Sequence, residues 1–361
     1  YALSSMKKCL EEDDLVSFKN LIIELDIKDP ISGSKNWTDI KQFNLMFSTQ
    51  IGASSESSSE IFLRPETAQG IFVNFLNVQK SSRKKIPFGI AQIGKAFRNE
   101  IIARQFIFRM REFEQMEMQF FVKPGTQMHW YEKWKERRMQ WHKLMGFDEK
   151  DYRFHDHDKL AHYADAACDI EFKFPFGFKE LEGIHSRTDF DLSQHEKFSG
   201  KKLRYFDPES KESYVPYVVE TSIGLDRMFL SILTASFHEE DLENDSKRLV
   251  LKIPVFLAPF KAAILPLVKK DGLDELANKL YEGLRPFLNV TKDEKDAIGR
   301  RYRRQDAIGT PVCITIDHDT LKDHSVTFRL RDTMKQFRVD LNSVRNELFK
   351  LTNPANFLHE K

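Results

Sequence analysis

The sequence predicts a mixed α and β domain followed by a smaller α/β domain. Three observations carry this. Residues 113–122 alternate: Met116, Met118, Phe120 and Val122 share one face of an extended chain, and Gln115, Glu117 and Gln119 the other. Beyond residue 248, helix-like runs alternate with short apolar strand-like runs, which is an α/β pattern. Between the two, Glu239, Glu240, Asp241, Glu243 and Asp245 make a hydrophilic link within seven residues, where a domain boundary is expected.

Taken in order, residues 1–36 read as a partial helical region ending in the turn Asp29-Pro30 and Ser32-Gly33-Ser34. Residues 37–240 form the first domain, with a helical insertion over about 126–165. Within it Ser54–Glu60 is a polar loop. The apolar face of 113–122 should pack on the core and its polar face should floor a cleft. Trp130–Met145 suits a helix, with Trp134, Trp141, Leu144 and Met145 on its apolar side. Tyr214–Val219 reads as a strand and Leu225–Phe237 as a mostly apolar helix. In the second domain, 248–361, Leu249–Leu257, Val312–Ile316 and Ser325–Arg329 are strand-like, and Gly272–Phe287 and Met334–Phe349 helix-like. No internal repeat is evident.

The 361 residues are 41% apolar and 31% charged, an ordinary soluble composition. There is no run of 18 apolar residues, and the first residues lack a signal-like apolar core. Cys9, Cys168 and Cys313 lie far apart, so neither a CxxC zinc site nor a disulfide framework is expected. A reduced, cytoplasmic compartment follows as the expectation. Net charge is +1, so nucleic-acid binding would have to come from a local patch.

The strongest local signal is Phe97-Arg98-Asn99-Glu100, a loop, then Phe108 to Glu117. Ala96, Arg98 and Glu100 share strand parity. An antiparallel return would bring Arg98 and Glu117 from neighbouring strands into one cleft. A guanidinium fork can hold a carboxylate and a phosphate at once. Arg64 to Gly70 reads locally as a helix start, with Pro65 first and Glu66 in the first turn. Thr221 to Gly224 reads as a tight strand-to-helix turn flanked by Glu220 and Arg227. Arg300, Arg301, Arg303 and Arg304, with Tyr302 among them, form a basic patch: either a solvated helix end or an RNA contact. His155 and His157 could share a strand face and chelate a metal, but two histidines in isolation are weak evidence for such a site. A surface or RNA-facing segment is the preferred reading there. His185 and His195 read as structural or supporting.

Residues 97–117 resemble motif 2 of class II aminoacyl-tRNA synthetases (fRxE, a variable loop, RxxxFxxxE). Tyr217–Phe229 (YVVETSIGLDRMF) resembles motif 3. Arg64–Gly70 (RPETAQG), Trp37–Gly52 and Glu180–His195 resemble glycine-specific segments, and Ile298–Gly309 an anticodon-binding domain. RPETAQG together with REFEQME is similar to the single-polypeptide, homodimeric, bacterial-like type of glycine–tRNA ligase. The resemblance implies an α+β class II catalytic domain, an antiparallel sheet flanked by helices, followed by an α/β anticodon-binding domain. It implies ATP-dependent activation of glycine and its transfer to tRNA(Gly), with Mg²⁺ as cofactor.

Residue by residue, the resemblance places Arg98 on the ATP α-phosphate and the amino-acid carboxylate, and Arg227 on the γ-phosphate, as the catalytic pair. The rest of the implied ATP site is Asn99, Glu100, Phe108, Arg109, Met110, Arg111, Glu112, Phe113, Glu180, Leu181, Gly224, Leu225 and Asp226. Glu100 would contact the adenine, Phe113 would stack on it, and Glu180 is a candidate Mg²⁺ ligand. The implied glycine site is Glu66, Phe113, Glu114, Gln115, Met116, Glu117, Glu220, Thr221, Ser222, Ile223 and Gly224. Arg300, Arg301, Arg303 and Arg304 would meet the anticodon arm of the tRNA.

The chemistry agrees with such a set. Two anions must be brought together, and cations offset their repulsion. The amino-acid carboxylate itself attacks, so no side-chain nucleophile is needed and positioning dominates. Clustered carboxylates suit an α-ammonium, and one of them should have a raised pKa. A filled pocket rejects any added methyl by collision, so no editing site is expected. An inactive class II paralogue, such as a polymerase accessory subunit, would have lost Arg98, Glu100 or Arg227, and all three are present. A sister enzyme for threonine, proline, serine or histidine shares motifs 2 and 3; the zinc ligands of the threonine enzyme and the signature of the histidine enzyme are not found. A metallohydrolase built on His155 to Asp158 is a remote third reading. Motif 1 and a YGPxG-like segment are not found either. Tyr1 falls in what resembles the insertion after motif 1, so the dimer interface that motif 1 builds is not legible here.

Overall fold

A computed structural model describes residues 2–12, 14–40, 44–52, 59–103, 105–145, 148–242 and 246–355. Residues 54–58 of the expected polar loop, and Glu243 and Asp245 of the expected link, lie outside these. Two compact units divide the chain: Tyr1–Pro65 with Phe97–Ile102, and Glu66–Ala96 with Ala103–Lys361.

In the first unit, α1 (Ala2–Glu11) packs on α2 (Leu15–Glu24). Asp14 caps α2 by accepting the Ser17 N–H at 3.0 Å, which satisfies one of the helix's orphan donors. Trp37 Nε1 donates to the Ile27 carbonyl at 2.8 Å, tying the chain beyond the Asp29 turn back to this region. Strands β1 (Ser48–Ile51) and β2 (Ser59–Phe62) pair antiparallel, so Ser59 and Glu60 are strand rather than loop.

The second unit contains α3 (Ala68–Ser81), β3 (Phe88–Phe97, its last residue in the first unit), β4 (Glu112–Val122), α4 (Gln127–Leu144), β5 (Tyr152–Asp156), β6 (Ala166–Phe174), β7 (Gly177–Thr188), α5 (Phe190–Ser199), β8 (Tyr205–Phe206), β9 (Ser213–Tyr214), β10 (Tyr217–Gly224) and α6 (Leu225–Ser236). Six strands form a sheet in the order β3-β4-β10-β7-β6-β5. β4, β10, β7, β6 and β5 pair antiparallel.

Strand parity divides the sheet into two faces. On one, Phe121 and Val218 join Phe72 and Phe75 of α3 in an apolar cluster, with Phe75 and Phe121 ring centroids 4.5 Å apart. Further along the same face lie Gln119, Glu117, Glu220 and Ser222. On the other face Ile170, Ile184, Val219 and Ile223 pack with residues of α4 and α6. Buried Glu182 anchors α4: His142 Nε2 lies 2.7 Å from it and Arg138 bonds it twice, at 2.5 and 3.1 Å. Burial pushes this carboxyl up, but His142 and Arg138 bring it below its usual value.

Local differences from the sequence reading have local causes. Pro216 lacks an N–H, so the expected strand 214–219 divides into β9, paired with β8, and β10. The α4 helix starts earlier than expected, at Gln127. α3 begins only at Ala68, so Pro65 and Glu66 precede it, and the hydroxyl of Thr67 at its N-cap bonds Glu117 instead of capping. β3 ends at Phe97, which leaves Arg98 and Glu100 beyond the strand rather than on it.

The acidic link is a hairpin of β11 (Phe237–Asp241) and β12 (Lys247–Leu251). Glu239 pairs with Lys247, and Glu240 with Arg248 at 2.7 Å. The strand therefore stops short of Leu257. β13 (Ala262–Pro266), α7 (Leu273–Leu284), β14 (Val290–Lys292), α8 (Ile298–Ala307), β15 (Val312–Ile316), α9 (Thr320–Asp323), β16 (Ser325–Leu330), β17 (Gln336–Asp340) and α10 (Val344–Thr352) complete an α/β tail. Its sheet runs β14-β13-β15-β16-β17, with β13 parallel to β14 and β15 and the rest antiparallel. The expected helix 334–349 is instead a left-handed turn at Met334 (φ 57°), β17, and then α10. No helix among the described residues is long and apolar enough to cross a membrane.

Candidate active site

The register of the central strands builds a polar face in rows. Glu220 of β10 stands opposite Gln119 of β4 and His185 of β7; Ser222 stands opposite Glu117 and Gly183; Gly224 stands opposite Gln115. Gln119 Nε2 donates to Glu220 at 2.6 Å and to Glu117 at 3.3 Å, joining two buried carboxylates through one amide. Thr67 donates its hydroxyl to Glu117, and its N–H to Gln115 Oε1 at 3.3 Å. Gln115 in turn donates to the Ser222 hydroxyl at 2.8 Å. At Gly183 a Cβ would lie 2.9 Å from His185 Cε1, so any side chain there would disturb the histidine's approach to Glu220.

The charge centre of this face is Arg187. It is 4% exposed, donates to Asp191 at 2.8 and 3.0 Å and to Glu220 at 2.7 Å, and lies 3.7 Å from Glu66. Its guanidinium also sits 4.5 Å from the Tyr163 ring centroid. Burial raises the Glu220 pKa, but Arg187 and the 3.0 Å contact with His185 hold it well below the usual carboxylate range. Glu117 goes the other way. Burial and the neighbouring Glu220 charge push it up, only partly opposed by the Thr67 bond. Two carboxylates on one amide thus differ in protonation. Burial would lower the His185 pKa, yet its contact with Glu220 leaves it raised.

Arg227 stands in the first turn of α6, at the same sheet end as the start of β4. Its Nη1 donates to the Glu180 carbonyl at 3.0 Å and pairs with the Glu180 carboxylate at 3.1 Å. Its Nη2 donates to the Phe108 carbonyl at 3.0 Å, and its guanidinium lies over the Phe108 ring at 5.0 Å. The arginine is held in place by main-chain acceptors. Arg98, Asn99 and Glu100 belong to the first unit. There Arg98 Nε donates to the Pro65 carbonyl at 3.1 Å, and the Asn99 N–H to the Leu45 carbonyl at 2.7 Å.

Comparison with known proteins decides between the readings. Residues 47–237 match the profile of the tRNA synthetase class II core domain (G, H, P, S and T), 2–45 that of glycyl-tRNA synthetase insertion domain 1, and 261–351 that of an anticodon binding domain. The glycine–tRNA ligase of Chlorobaculum tepidum is 54% identical over 332 residues, covering 92% of this chain and 70% of that protein. That of Macrococcus caseolyticus is 55% identical over 329 residues, covering 91% and 71%. The chain belongs to the glycine–tRNA ligase family.

Among solved structures, the fold resembles a Giardia lamblia prolyl-tRNA synthetase in complex with prolyl-adenylate (TM-score 0.60, 18% identity, 87% of this chain and 64% of that one). It also resembles the RNA binding domain of a Cryptosporidium parvum threonyl-tRNA synthetase (TM-score 0.64, 19% identity, 85% and 79%). An antiparallel sheet with flanking helices followed by an α/β domain is the class II arrangement that the motifs led one to expect.

For a glycine–tRNA ligase, the site residues named from the sequence fall into groups. Gln115, Glu117, Glu220, Ser222 and Gly224 share the polar face, with half-buried Phe113 of the same parity. On this face Gln115, Glu117 and Gln119 are all buried, whereas Met116, Met118 and Phe120, expected to pack on the core, are only half-buried. Leu181 and Ile223, with Met116 packed against them, turn their side chains into the α4 and α6 core, and Thr221 shares Ile223's parity. They cannot line the site with side chains. Glu114 is exposed and Glu112 pairs with Lys95. Arg109 and Arg111 are exposed and Met110 half-buried in the segment before β4, and Leu225 and Asp226 open α6 half-buried.

Among the tail arginines, Arg301 is not at the surface. It is 2% exposed and donates to the carbonyls of Pro266, Leu267 and Asp293, so it braces the domain. Arg304 is committed to Asp293 and Asp296, and Tyr302 bonds Thr315 under Arg329. Arg300 and Arg303 remain on the surface. His155 and His157 bond Glu171 and Asp169. Arg187, Thr67, Gln119 and Asp191 were missed as site residues. The available signal was charge balance: two buried acids on one face, Glu117 and Glu220, with Glu66 beside them, require a cation.

Proposed function

We propose that the polar face binds glycine and that the adjoining end of the sheet, at Arg227, binds ATP, so that the two react there. The family reaction has two steps. A glycine carboxylate oxygen attacks the α-phosphorus of ATP and pyrophosphate leaves. The 3′-terminal hydroxyl of tRNA(Gly) then attacks the carbonyl carbon, losing its proton as AMP leaves.

The observation that carries this reading is the Glu117–Gln119–Glu220 group beside Ser222. Its acidic acceptors suit an α-ammonium, with Glu66 close by on Arg187. Arg187 holds Glu220 ionised and in place, so the acceptor is pre-organised. A side chain on the substrate's α-carbon would collide with this packed, bonded face. Arg227 offers a cation for the polyphosphate, and Arg98 is proposed to meet the α-phosphate and the carboxylate.

Glu180 fits as one protein ligand for Mg²⁺. No group of three ligating side chains occurs among the described residues, so ATP phosphates and water would supply the rest of the shell. The ion would offset negative charge on the phosphates when bound.

The chain is proposed to be of the single-polypeptide, homodimeric type. β3 is one of the two edge strands of the six-stranded sheet among the described residues, and Ile93 on it is 67% exposed, a surface suited to a second copy. The division into an insertion region up to residue 36, a catalytic domain at 37–240 and an anticodon-binding domain from 248 is proposed with it. Cytoplasmic localisation belongs to the same proposal.

Arg227→Ala tests the site. Glycine-dependent ATP–pyrophosphate exchange should fall by at least about a hundredfold, the scale of one lost transition-state contact, with circular dichroism unchanged. Full exchange activity would remove Arg227 from the reaction.

A further inference from the structure

The last turn of α3 and the residues after it form a basic rim that the reaction does not use. Lys80, Arg83, Lys84 and Lys85 are all exposed. They line a groove of about 350 Å³ whose other wall is Tyr205, Phe206 and Pro208. Lys85 is paired with Glu209 at 2.9 Å, whereas Lys80, Arg83 and Lys84 pair with no carboxylate among the described residues.

The rim is rigid. Lys84 N–H donates to the Gln79 carbonyl at 3.1 Å, Gln79 Nε2 donates back to the Lys84 carbonyl at 2.9 Å, and Arg83 N–H reaches the Lys80 carbonyl at 3.3 Å. One cation in the last turn is enough to complement a helix dipole, and Lys80 already does that. Arg83 and Lys84 are additional charge, on a chain whose net charge is only +1. Phe206, on the groove's other wall, is 60% exposed.

Cations along a groove with an aromatic wall are the features that hold a nucleic-acid backbone. We propose that this groove binds phosphates of the tRNA substrate, apart from both the reaction site and the tail domain. The proposal rests on the function given above. Phosphate contacts position a nucleic acid without reading its sequence, so the groove would add affinity for tRNA of any sequence.

The test is the triple variant Lys80→Gln, Arg83→Gln, Lys84→Gln in the full chain. Filter binding of tRNA(Gly) and of a non-cognate tRNA across a salt series should show both affinities weakened alike. The slope of log Kd against log salt should become shallower by about one per contact removed, about three in all. KM for tRNA should rise several-fold, and glycine-dependent pyrophosphate exchange should be unchanged. An unchanged salt slope and tRNA KM would overturn the proposal. So would weakened binding that follows a change in sedimentation, because the groove would then be a contact between copies of the chain. Wild-type glycine exchange checks the function separately; its absence would sink that reading and leave the salt-slope comparison intact.

Discussion

Gln119 donates one amide to both Glu117 and Glu220, yet the two carboxyls hold their protons differently. Arg187 and His185 keep Glu220 ionised against its burial, while burial and the Glu220 charge favour a proton on Glu117. An arriving ammonium would favour the ionised Glu117, so glycine binding near neutral pH should release a proton. The sign for stability follows from the raised folded-state value. Below the ordinary carboxylate range Glu117 adds nothing, and as pH rises above that range the folded state is progressively penalised. Glu117→Gln should therefore raise the melting temperature at pH 7.5 more than at pH 5, and lower glycine-dependent exchange by about a hundredfold. A lower melting temperature at pH 7.5 would show that Glu117 is ionised in the free protein. The alternation of residues 113–122 made Glu117 legible, and the motif after Tyr217 did the same for Glu220. Arg187 was not legible, because Arg187-Thr188-Asp189-Phe190-Asp191 reads as a self-neutralised turn until the sheet turns the guanidinium inward.

Elements were read well where periodicity was decided by one face of a core, and poorly where a single residue intervened. The 113–122 strand and the 312–316 strand were of the first kind. Pro216, the diverted hydroxyl of Thr67 and the left-handed Met334 were of the second. The acidic link was misread because Lys247 and Arg248, which pair across β11 and β12, were not set against the acids. α4 illustrates a dependence that only the fold reveals. Its inner side is fixed by Glu182, a buried carboxylate held below its usual pKa by His142 and Arg138 against the effect of burial. Such a group stabilises the fold above its unfolded pKa and stops doing so as pH falls. Glu182→Gln should cost about 3 kcal/mol at pH 7, because Arg138 and His142 lose their charged partner. The difference from wild type should shrink below about pH 4, in the range of an unperturbed carboxyl. Urea unfolding at both pH values reads this out, and an equal difference at both would exclude the ion pair as its source.

At the scale of the molecule, the tail is tied to the hairpin by a buried charge cluster. Asp306 accepts from Arg329 at 2.8 and 2.9 Å and from Arg248 of β12 at 3.3 Å. The same helix, α8, carries surface Arg300 and Arg303, so an RNA contact there would act on an element already braced to the hairpin. Arg300→Ala with Arg303→Ala should raise KM for tRNA several-fold and leave glycine exchange unchanged, measured by charging and exchange assays side by side; equal loss in both assays would refute an anticodon-arm role. Arg301 is unsuitable for such a test, since its loss would unsatisfy three carbonyls. The two-domain order and the family were legible because motifs 2 and 3 and the tail segment are long strings. Which arginines of the basic patch face solvent was not, since four arginines within five residues on a helix necessarily point to several sides.

The central claim is that this polar face accepts a zwitterion with no side chain. Amino-acid-dependent ATP–pyrophosphate exchange by the wild-type chain, run with glycine, alanine, serine, threonine and proline in parallel, measures that directly. Exchange with glycine alone is the predicted result; exchange with alanine or serine at a comparable rate would contradict it.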